Sequence, residues 1–214
     1  SYTIRDMANA HLLLMKYLGI TAIKLGIGGS MGGYQLLECM YLAPKAFDKV
    51  VLMVTSARES AWGIAIHTVH RRSLELDPTW GQEGNVLAGQ NGLKVARGIG
   101  MLMYRNFETY KERQTDADDR IDGFKAESYI DYQGKKLAER FNPIAYWYLT
   151  YAMDTHNIGR DRGGVEKVLS EMTADVAVIG ITSDLLCNVS EQKLIAEHIP
   201  KGKYYEINSL YGHD

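Results

Sequence analysis

A serine enclosed by glycines most constrains how this chain can fold. The segment Gly28-Gly29-Ser30-Met31-Gly32 follows a short alternating stretch, residues 22–27, and precedes residues with helical spacing, 34–42. A chain that passes from strand to helix over so few residues turns sharply, and the glycines leave room for that turn. The pattern therefore predicts that the Ser30 hydroxyl stands exposed at the end of a strand.

A glycine-rich turn before a helix also suits phosphate binding, because the first N–H groups of a helix attract anions. The phosphate loop of nucleotide-binding proteins carries a lysine after its last glycine. Here Gly33 and Tyr34 follow Gly32 instead. The sequence favours the exposed serine over the phosphate site.

Three further segments are predicted to be strands. Residues 49–55 and 175–183 are rich in β-branched and other apolar side chains, and residues 203–207 form a final short strand. Nearly continuous apolar runs are typical of parallel strands covered on both faces. Helices are predicted at residues 3–18, which begin with the capping-box-like pair Thr3 and Asp6, and at 191–199. The fold class is therefore α/β, with a mostly parallel sheet flanked by helices.

A long insertion separates the second and third predicted strands. It is rich in aromatic residues and methionine, with helical spacing over residues 62–74, 92–107 and 144–153. Residues 111–125 mix both charge signs, which is typical of a solvated face or loop. We predict a core made of residues 1–57 and 171–214, with a helical cap or lid over residues 58–170.

A serine hydroxyl becomes a useful nucleophile only beside a base that a third group orients. Asp184 directly follows the third predicted strand, and His213 lies in the loop after the fourth. The order Ser30, Asp184, His213 is that of the α/β-hydrolases. An aspartate after a strand is also commonly a turn or helix-capping residue, so this alternative stays open for Asp184.

Five other histidines compete for the role of base. His11 lies on the apolar face of the first predicted helix, where a packed, hydrogen-bonded histidine is expected. His67 and His70 are one helical turn apart, a spacing that suits metal ligation, but no third ligand stands at a convincing distance. His156 and His198 follow or end predicted helices. Only His213 fits a loop after a strand.

Composition excludes several classes of protein. The chain has 214 residues with 24 basic and 26 acidic side chains, so its net charge of −2 gives no reason to expect a nucleic-acid partner. No segment approaches the ~20 apolar residues of a membrane span. Cys39 and Cys187 are far apart, which favours a reduced, cytoplasmic chain over a disulfide. We expect no metal and no bound prosthetic group.

Six segments together resemble the homoserine O-acetyltransferases, and the resemblance covers essentially the whole chain: KLGIGGSMGGYQLLE, TSARESAWGIA, ARGIGMLMYRNFETY, ESYIDYQGKKLAERFNPIAYWYLTYAMDTHNIGR, ITSDLL and the terminal YGHD. It implies that Ser30 takes an acetyl group from acetyl-CoA and passes it to the hydroxyl of L-homoserine. His213 is then the general base and acid, and Asp184 its imidazolium partner. A succinyl donor, a serine acceptor, a carboxylesterase and a non-catalytic fragment remain as alternatives.

The resemblance also implies substrate-binding residues and an assembly. Arg97 and Tyr104, seven residues apart, and the terminal Asp214 match positions that hold the amino acid. A guanidinium suits the carboxylate of homoserine and a carboxylate suits its ammonium group. The backbone N–H of Met31 corresponds to one oxyanion-hole donor. The family further implies a homodimer formed through the cap.

The match also departs from the family. Its members have further strands before the first helix of this chain and a helix after the histidine, so we expect these residues to be part of a longer protein. Four strands would leave the central strand of the family's sheet at an edge. The second oxyanion donor would lie upstream of Ser1. Asn188 and Val189 stand where the family has prolines, which predicts a looser loop after Asp184.

Overall fold

The computed structural model describes residues 2–213, and its elements follow the predicted order of β-α-β, a long insertion and β-α-β after the first helix. The strands are β1 (Ile23–Gly29), β2 (Phe47–Met53), β3 (Asp175–Ile181) and β4 (Gly202–Ile207). The helices are α1 (Ile4–Tyr17), α2 (Met31–Leu42), α3 (Ala61–Glu75), α4 (Gln90–Tyr104), α5 (Phe107–Gln114), α6 (Lys125–Ala138), α7 (Pro143–Asp154), α8 (Val165–Ser170) and α9 (Val189–His198).

The four strands form one parallel sheet in the order β1-β2-β3-β4. The predicted α/β class is confirmed, and β1, which leads into Ser30, lies at an edge of this sheet as expected. Because the strands are parallel, their carboxyl ends all lie along the same edge of the sheet. Ser30, Asp184 and His213 all follow those ends.

Only one face of the sheet is covered by helices among the described residues. Its side chains, such as Val50 and Val178, join α2, α8 and α9 in the main apolar core. On the other face, Ile27 is 62% exposed and Tyr205 51% exposed. A parallel sheet normally buries both faces, so this open face is apolar surface left without a partner.

The insertion is helical, as its spacing predicts, but its helices differ in part from the predicted ones. The helix predicted over residues 92–107 is wrong at its end. It stops at Tyr104 because Arg105 is extended and Asn106 caps a separate helix, α5, by accepting from the Thr109 N–H. Helix α6 was not predicted. It packs on α4 through Gly134, Leu137 and Ala138.

Helix α8 lies within the predicted cap boundaries of 58–170. Its residues Val168 and Leu169 are fully buried in the main core, and Ile158 lies in the same cluster. The end of the insertion therefore packs with the sheet rather than with the cap helices α3 to α7. No helix within residues 2–213 is both long and apolar enough to cross a membrane.

Candidate active site

Ser30 occupies a strained turn between β1 and α2. Its backbone has φ 50° and ψ −125°, a conformation that costs a non-glycine residue about 1–3 kcal/mol. The Ser30 N–H donates to the Met53 carbonyl oxygen at 2.9 Å, and the Ser30 carbonyl accepts from the Gly33 N–H, also at 2.9 Å. These bonds to β2 and α2 hold the turn in place.

Gly28 and Gly32, the first and last residues of the motif, have different roles. A Cβ atom at Gly28 would lie 2.6 Å from the Gly32 carbonyl oxygen, whereas one at Gly32 would meet no atom within 4 Å. The close approach of strand and helix therefore requires glycine at position 28. The same steric argument does not apply at position 32.

The structure brings together the three residues that chain order singled out. His213 Nε2 lies 2.9 Å from Ser30 Oγ, and His213 Nδ1 lies 2.7 Å from Asp184 Oδ2. Because an ionised carboxylate only accepts hydrogen bonds, Nδ1 carries the ring proton and leaves Nε2 to accept from the serine. The imidazole is oriented to take the Ser30 proton.

Asp184 is fixed by its own loop. Its Oδ1 accepts from the Leu186 and Cys187 N–H groups, both at 2.8 Å. The Trp62 indole donates to the Leu185 carbonyl at 2.7 Å, and the Asn188 side chain caps α9. The expected loosening at Asn188 and Val189 is therefore offset by bonds that sequence reasoning missed.

The loop that carries His213 is anchored from two sides. Ser183, beside Asp184, donates through Oγ to the Ser209 carbonyl and accepts from the Gly212 N–H at 3.1 Å. From the cap, the Tyr104 carbonyl accepts from the His213 N–H at 3.0 Å. Ser183 was missed in the sequence, although a hydroxyl next to the acid was the available signal.

Arg97 and Tyr104 lie beside the histidine. The Arg97 guanidinium sits 5.4 Å from the centre of the Tyr104 ring, which stacks on His213 at a centroid distance of 5.7 Å. Both residues lie on one face of α4, as a seven-residue separation predicts. Asp214 lies outside the described residues.

Met31 is the first residue of α2. The first N–H groups of a helix have no acceptor within it, so this amide is available to an external oxygen. It follows directly after the Ser30 carbonyl, at the positive end of the helix.

Other histidines that competed for the role of base form hydrogen bonds outside the triad. His67 Nδ1 lies 2.8 Å from Asp154, and His70 Nδ1 lies 3.2 Å from the Tyr146 hydroxyl. Burial lowers the pKa of His70 to about 4, so its ring is neutral at pH 7. His11 bonds the Gln35 side chain at 2.7 Å, but it is exposed rather than packed.

Within residues 2–213, one group of acidic, thiol and imidazole side chains lies close enough to share a metal ion: Asp184, Cys187 and His213. Burial and the nearby Asp184 raise the pKa of the Cys187 thiol well above its usual value. Metals bind the thiolate, so this protonated thiol is a poor ligand. Cys39 and Cys187 are both free and buried.

Comparison with known proteins finds sequences similar to this chain. No family model matches the chain. The chain is 42% identical over 212 residues to the homoserine O-acetyltransferase of Cyclobacterium marinum and 39% identical over 228 residues to that of Carboxydothermus hydrogenoformans. Each alignment covers 99% of this chain and 60% of the relative, so the chain spans 60% of the length of these relatives.

Solved structures agree in fold. The homoserine O-acetyltransferase of Staphylococcus aureus superimposes with a TM-score of 0.83 at 28% identity, covering 100% of this chain and 60% of that one. Esterase E22 superimposes with a TM-score of 0.88 at 20% identity, over 99% of this chain and 61% of that one, which shows the fold alone. The chain thus has the α/β-hydrolase fold, and over 99% of its length its sequence is similar to the homoserine O-acetyltransferases of these bacteria.

Proposed function

We propose that the protein containing this chain transfers an acetyl group from acetyl-CoA to the hydroxyl of L-homoserine through an acetyl-Ser30 intermediate. The observation that carries the proposal is the Ser30–His213–Asp184 chain of hydrogen bonds at 2.9 and 2.7 Å. The names of the relatives support the choice of substrates. A triad of this kind supplies both nucleophile and base, so the proposal includes no metal and no bound cofactor.

In the first half-reaction, His213 Nε2 accepts the Ser30 proton while Oγ bonds to the thioester carbon. The Met31 N–H donates to the oxyanion that forms. The carbon–sulfur bond then breaks, and His213 returns its proton to the departing thiolate. The products are acetyl-Ser30 and CoA. Asp184 stabilises the imidazolium throughout but does not itself take the proton.

In the second half-reaction, the homoserine hydroxyl replaces CoA. His213 accepts the hydroxyl proton as that oxygen bonds to the acetyl carbon, and the bond from the carbon to Ser30 Oγ breaks. The proton returns to Ser30, which restores the free serine and releases O-acetylhomoserine. The same imidazole thus acts once as base and once as acid in each half.

The stack of Arg97, Tyr104 and His213 supports the proposed binding of an amino acid. The Arg97 guanidinium lies over the Tyr104 ring, which itself stacks on His213, so a carboxylate bound by Arg97 would lie near the triad. The acceptor hydroxyl would then extend toward His213. Asp214, next to the base in sequence, is proposed to hold the ammonium group.

A transferase must keep water away from the acyl-serine, and the cap is the proposed means. The cap is tied directly to the catalytic loops through Trp62 and through the Tyr104 carbonyl. Aromatic residues pack against one another in the cap: the half-buried Tyr146 contacts Phe141 and His70, and Trp147 stacks on Tyr151, which is 39% exposed. Exclusion of water favours the amino-acid hydroxyl as the acceptor.

We also propose that the protein is cytoplasmic and forms a homodimer through its cap. Apolar side chains remain exposed on α4 and α6, with Val95 and Leu102 each 56% exposed and Tyr132 58% exposed. Between these helices lies a groove of about 540 Å³. Light scattering after gel filtration should give twice the monomer mass, and Leu102→Asp should reduce that mass to one copy.

The proposal is tested by CoA release from acetyl-CoA with and without L-homoserine. We expect release to depend on homoserine and Ser30→Ala to abolish it. The Ser56→Ala variant is a matched control, because this nearby buried hydroxyl bonds Tyr34 rather than the triad. CoA release that is equally fast without an acceptor would identify a hydrolase. Faster turnover with succinyl-CoA than with acetyl-CoA at matched concentration would identify succinyl-CoA as the acyl donor.

A further inference from the structure

Ser30 is bound on its carbonyl side by a residue of the neighbouring strand end. Thr55 Oγ1 donates to the Ser30 carbonyl oxygen at 2.8 Å. Thr55 is completely buried, two residues after β2 ends. The Ser30 N–H donates to Met53, so both backbone polar groups of Ser30 form hydrogen bonds with one short segment, residues 53–55.

The peptide group that Thr55 contacts also contains the proposed oxyanion donor. The Ser30 carbonyl and the Met31 N–H belong to one planar peptide unit and point in opposite directions. A hydroxyl that fixes the carbonyl on one side therefore fixes the direction of the N–H on the other. Hydrogen bonding to the carbonyl also polarises the same amide and strengthens its N–H as a donor.

Neighbouring residues hold the backbone of Thr55 in place. Its own carbonyl accepts from Gln192 Nε2 at 2.6 Å, and Gln192 is completely buried on α9. The residue before it, Val54, has φ 44°, which is unfavourable for a β-branched side chain. Such strain persists only where neighbours hold the backbone, and it clusters at functional sites.

The Thr55 side chain packs tightly against the backbone of Gly33. A Cβ atom at Gly33, in the first turn of α2, would collide with the Thr55 hydroxyl and methyl groups. Gly33 lies outside the five-residue serine motif, so its requirement comes from Thr55 and not from the strand-to-helix turn. Helix, nucleophile and strand end meet at this hydroxyl.

We propose that Thr55 is a positioning residue that aims the Met31 N–H at the developing oxyanion by binding the opposite end of the same peptide group. The inference rests on the proposed role of Ser30 and Met31. It assigns Thr55 no contact with substrate, since its hydroxyl faces the backbone beneath the serine. Its contribution to catalysis is therefore expected in kcat rather than in KM.

The test compares Thr55→Val with Thr55→Ser and Thr150→Val in the chain described here. Thr150 is the matched control, because it is a buried threonine in α7 whose hydroxyl also donates to a backbone carbonyl, that of Trp147, at 2.8 Å. With p-nitrophenyl acetate as substrate, we expect Thr55→Val to lower kcat about tenfold and to leave KM within about twofold. Thr55→Ser keeps the hydroxyl and should stay within about twofold of the parent.

Two further measurements separate positioning from general damage. The pH profile of kcat/KM should be unchanged in Thr55→Val, because His213 and Asp184 keep their contacts. The ¹⁵N shift of the Met31 amide should move in Thr55→Val but not in Thr150→Val, since only the former loses a bond to the preceding carbonyl. This last readout needs no catalytic activity.

The outcomes are distinct. An unchanged Met31 shift or an unchanged kcat in Thr55→Val overturns the inference, as does an equal loss of activity in Thr150→Val. If the protein containing this chain cleaves the ester but transfers nothing to homoserine, the proposed function fails while the role of Thr55 stands on its own result. If the parent chain is inactive, a Met31 shift specific to Thr55→Val still supports the positioning.

Discussion

The molecule contains two buried histidine–aspartate pairs that look alike and differ in what lies beyond them. His213 and Asp184 are 2.7 Å apart, and His67 and Asp154 are 2.8 Å apart. The far nitrogen of His213 meets Ser30 Oγ, whereas Asp154 is shared with the Arg71 guanidinium at 2.5 Å. A histidine–aspartate pair thus becomes a candidate for catalysis only when its free nitrogen reaches a nucleophile.

The second pair has the contacts of a structural element. It joins α3 to α7 inside the cap, and the Asp154 carboxylate pairs with the Arg71 guanidinium as well as with His67. The first pair joins two strand ends and leaves one imidazole nitrogen free to act on the serine hydroxyl. Variants of the two pairs should therefore separate activity from stability.

The largest expected effect comes from Ser30 and from His213, the base of the first pair. Ser30→Ala and His213→Ala should each lower kcat at least about 10³-fold, because nucleophile and base act as a unit. Melting temperatures should change little. His67→Ala is the corresponding variant of the second pair and should retain activity per folded molecule while losing stability. A loss of activity in folded His67→Ala as large as that in His213→Ala would erase the distinction.

The acids of the two pairs should differ in the same way. Asp184→Asn should lower kcat by about 10³- to 10⁴-fold through the wrong tautomer of His213. Asp154→Asn should leave kcat nearly unchanged but lower the free energy of unfolding by about 3 kcal/mol, because Arg71 loses its counter-charge in a mostly buried site. Denaturant titration and steady-state kinetics on both variants check this. Matching stability losses without any difference in kcat would contradict the account.

Acid should destabilise the fold through histidines outside the first pair. Burial lowers the pKa of His70 to about 4 and that of His156 to about 3. Below the unfolded pKa of about 6.5, the unfolded chain binds protons that the folded chain excludes. Stability should therefore be full above that pH and fall steadily down to about pH 3, the folded pKa of His156.

The His70→Gln variant tests this assignment. It removes one of the two groups, so the decline in its free energy of unfolding between about pH 6.5 and 4 should be shallower than in the parent. Urea titrations across this range measure the slope. An identical slope in the variant would show that His70 does not cause the acid sensitivity.

The smallest effect is expected where the cap meets the acid loop. Trp62→Phe removes the indole bond to the Leu185 carbonyl while keeping an aromatic ring on a half-exposed surface. A net loss of one such bond corresponds to about a two- to tenfold lower kcat through Asp184. Steady-state kinetics would show it, and an unchanged kcat would mean that the loop holds Asp184 without help from the cap.

The sequence predicted the strands and the first pair because both leave local signals. Apolar runs identify β2 and β3, and each polar site residue follows a strand end in an order known for this fold. The second pair left no such signal. His67 and His70 suggest metal ligation by spacing, and only the packing of α3 on α7 brings Asp154 to His67.

Helix α6 was missed because its buried stripe is short and contains a glycine. Gly134 faces α4, where a Cβ atom would lie 2.9 Å from the Lys94 carbonyl oxygen. Glycine is required at position 134 by this close contact between two helices, and hydrophobic periodicity does not detect such a contact. Thr55 is a similar case, since a threonine after a strand reveals nothing until the chain is folded and its hydroxyl meets Ser30.

The open face of the sheet differs from both histidine–aspartate pairs, because its apolar side chains have no packing partner among the described residues. Its side chains form rows such as Ile27, Val51, Ala177 across β1, β2 and β3. Apolar rows of this kind favour association with further protein surface. The site itself does not lie on this face but at the carboxyl ends of the strands.

The most direct test of the central claim is peptide mapping by mass spectrometry after treatment with a fluorophosphonate. The account predicts one modification, on Ser30, in the parent chain and in His67→Ala, and its loss in His213→Ala. Modification of another residue, or equal labelling of Ser30 in His213→Ala, would contradict the claim that His213 activates this serine.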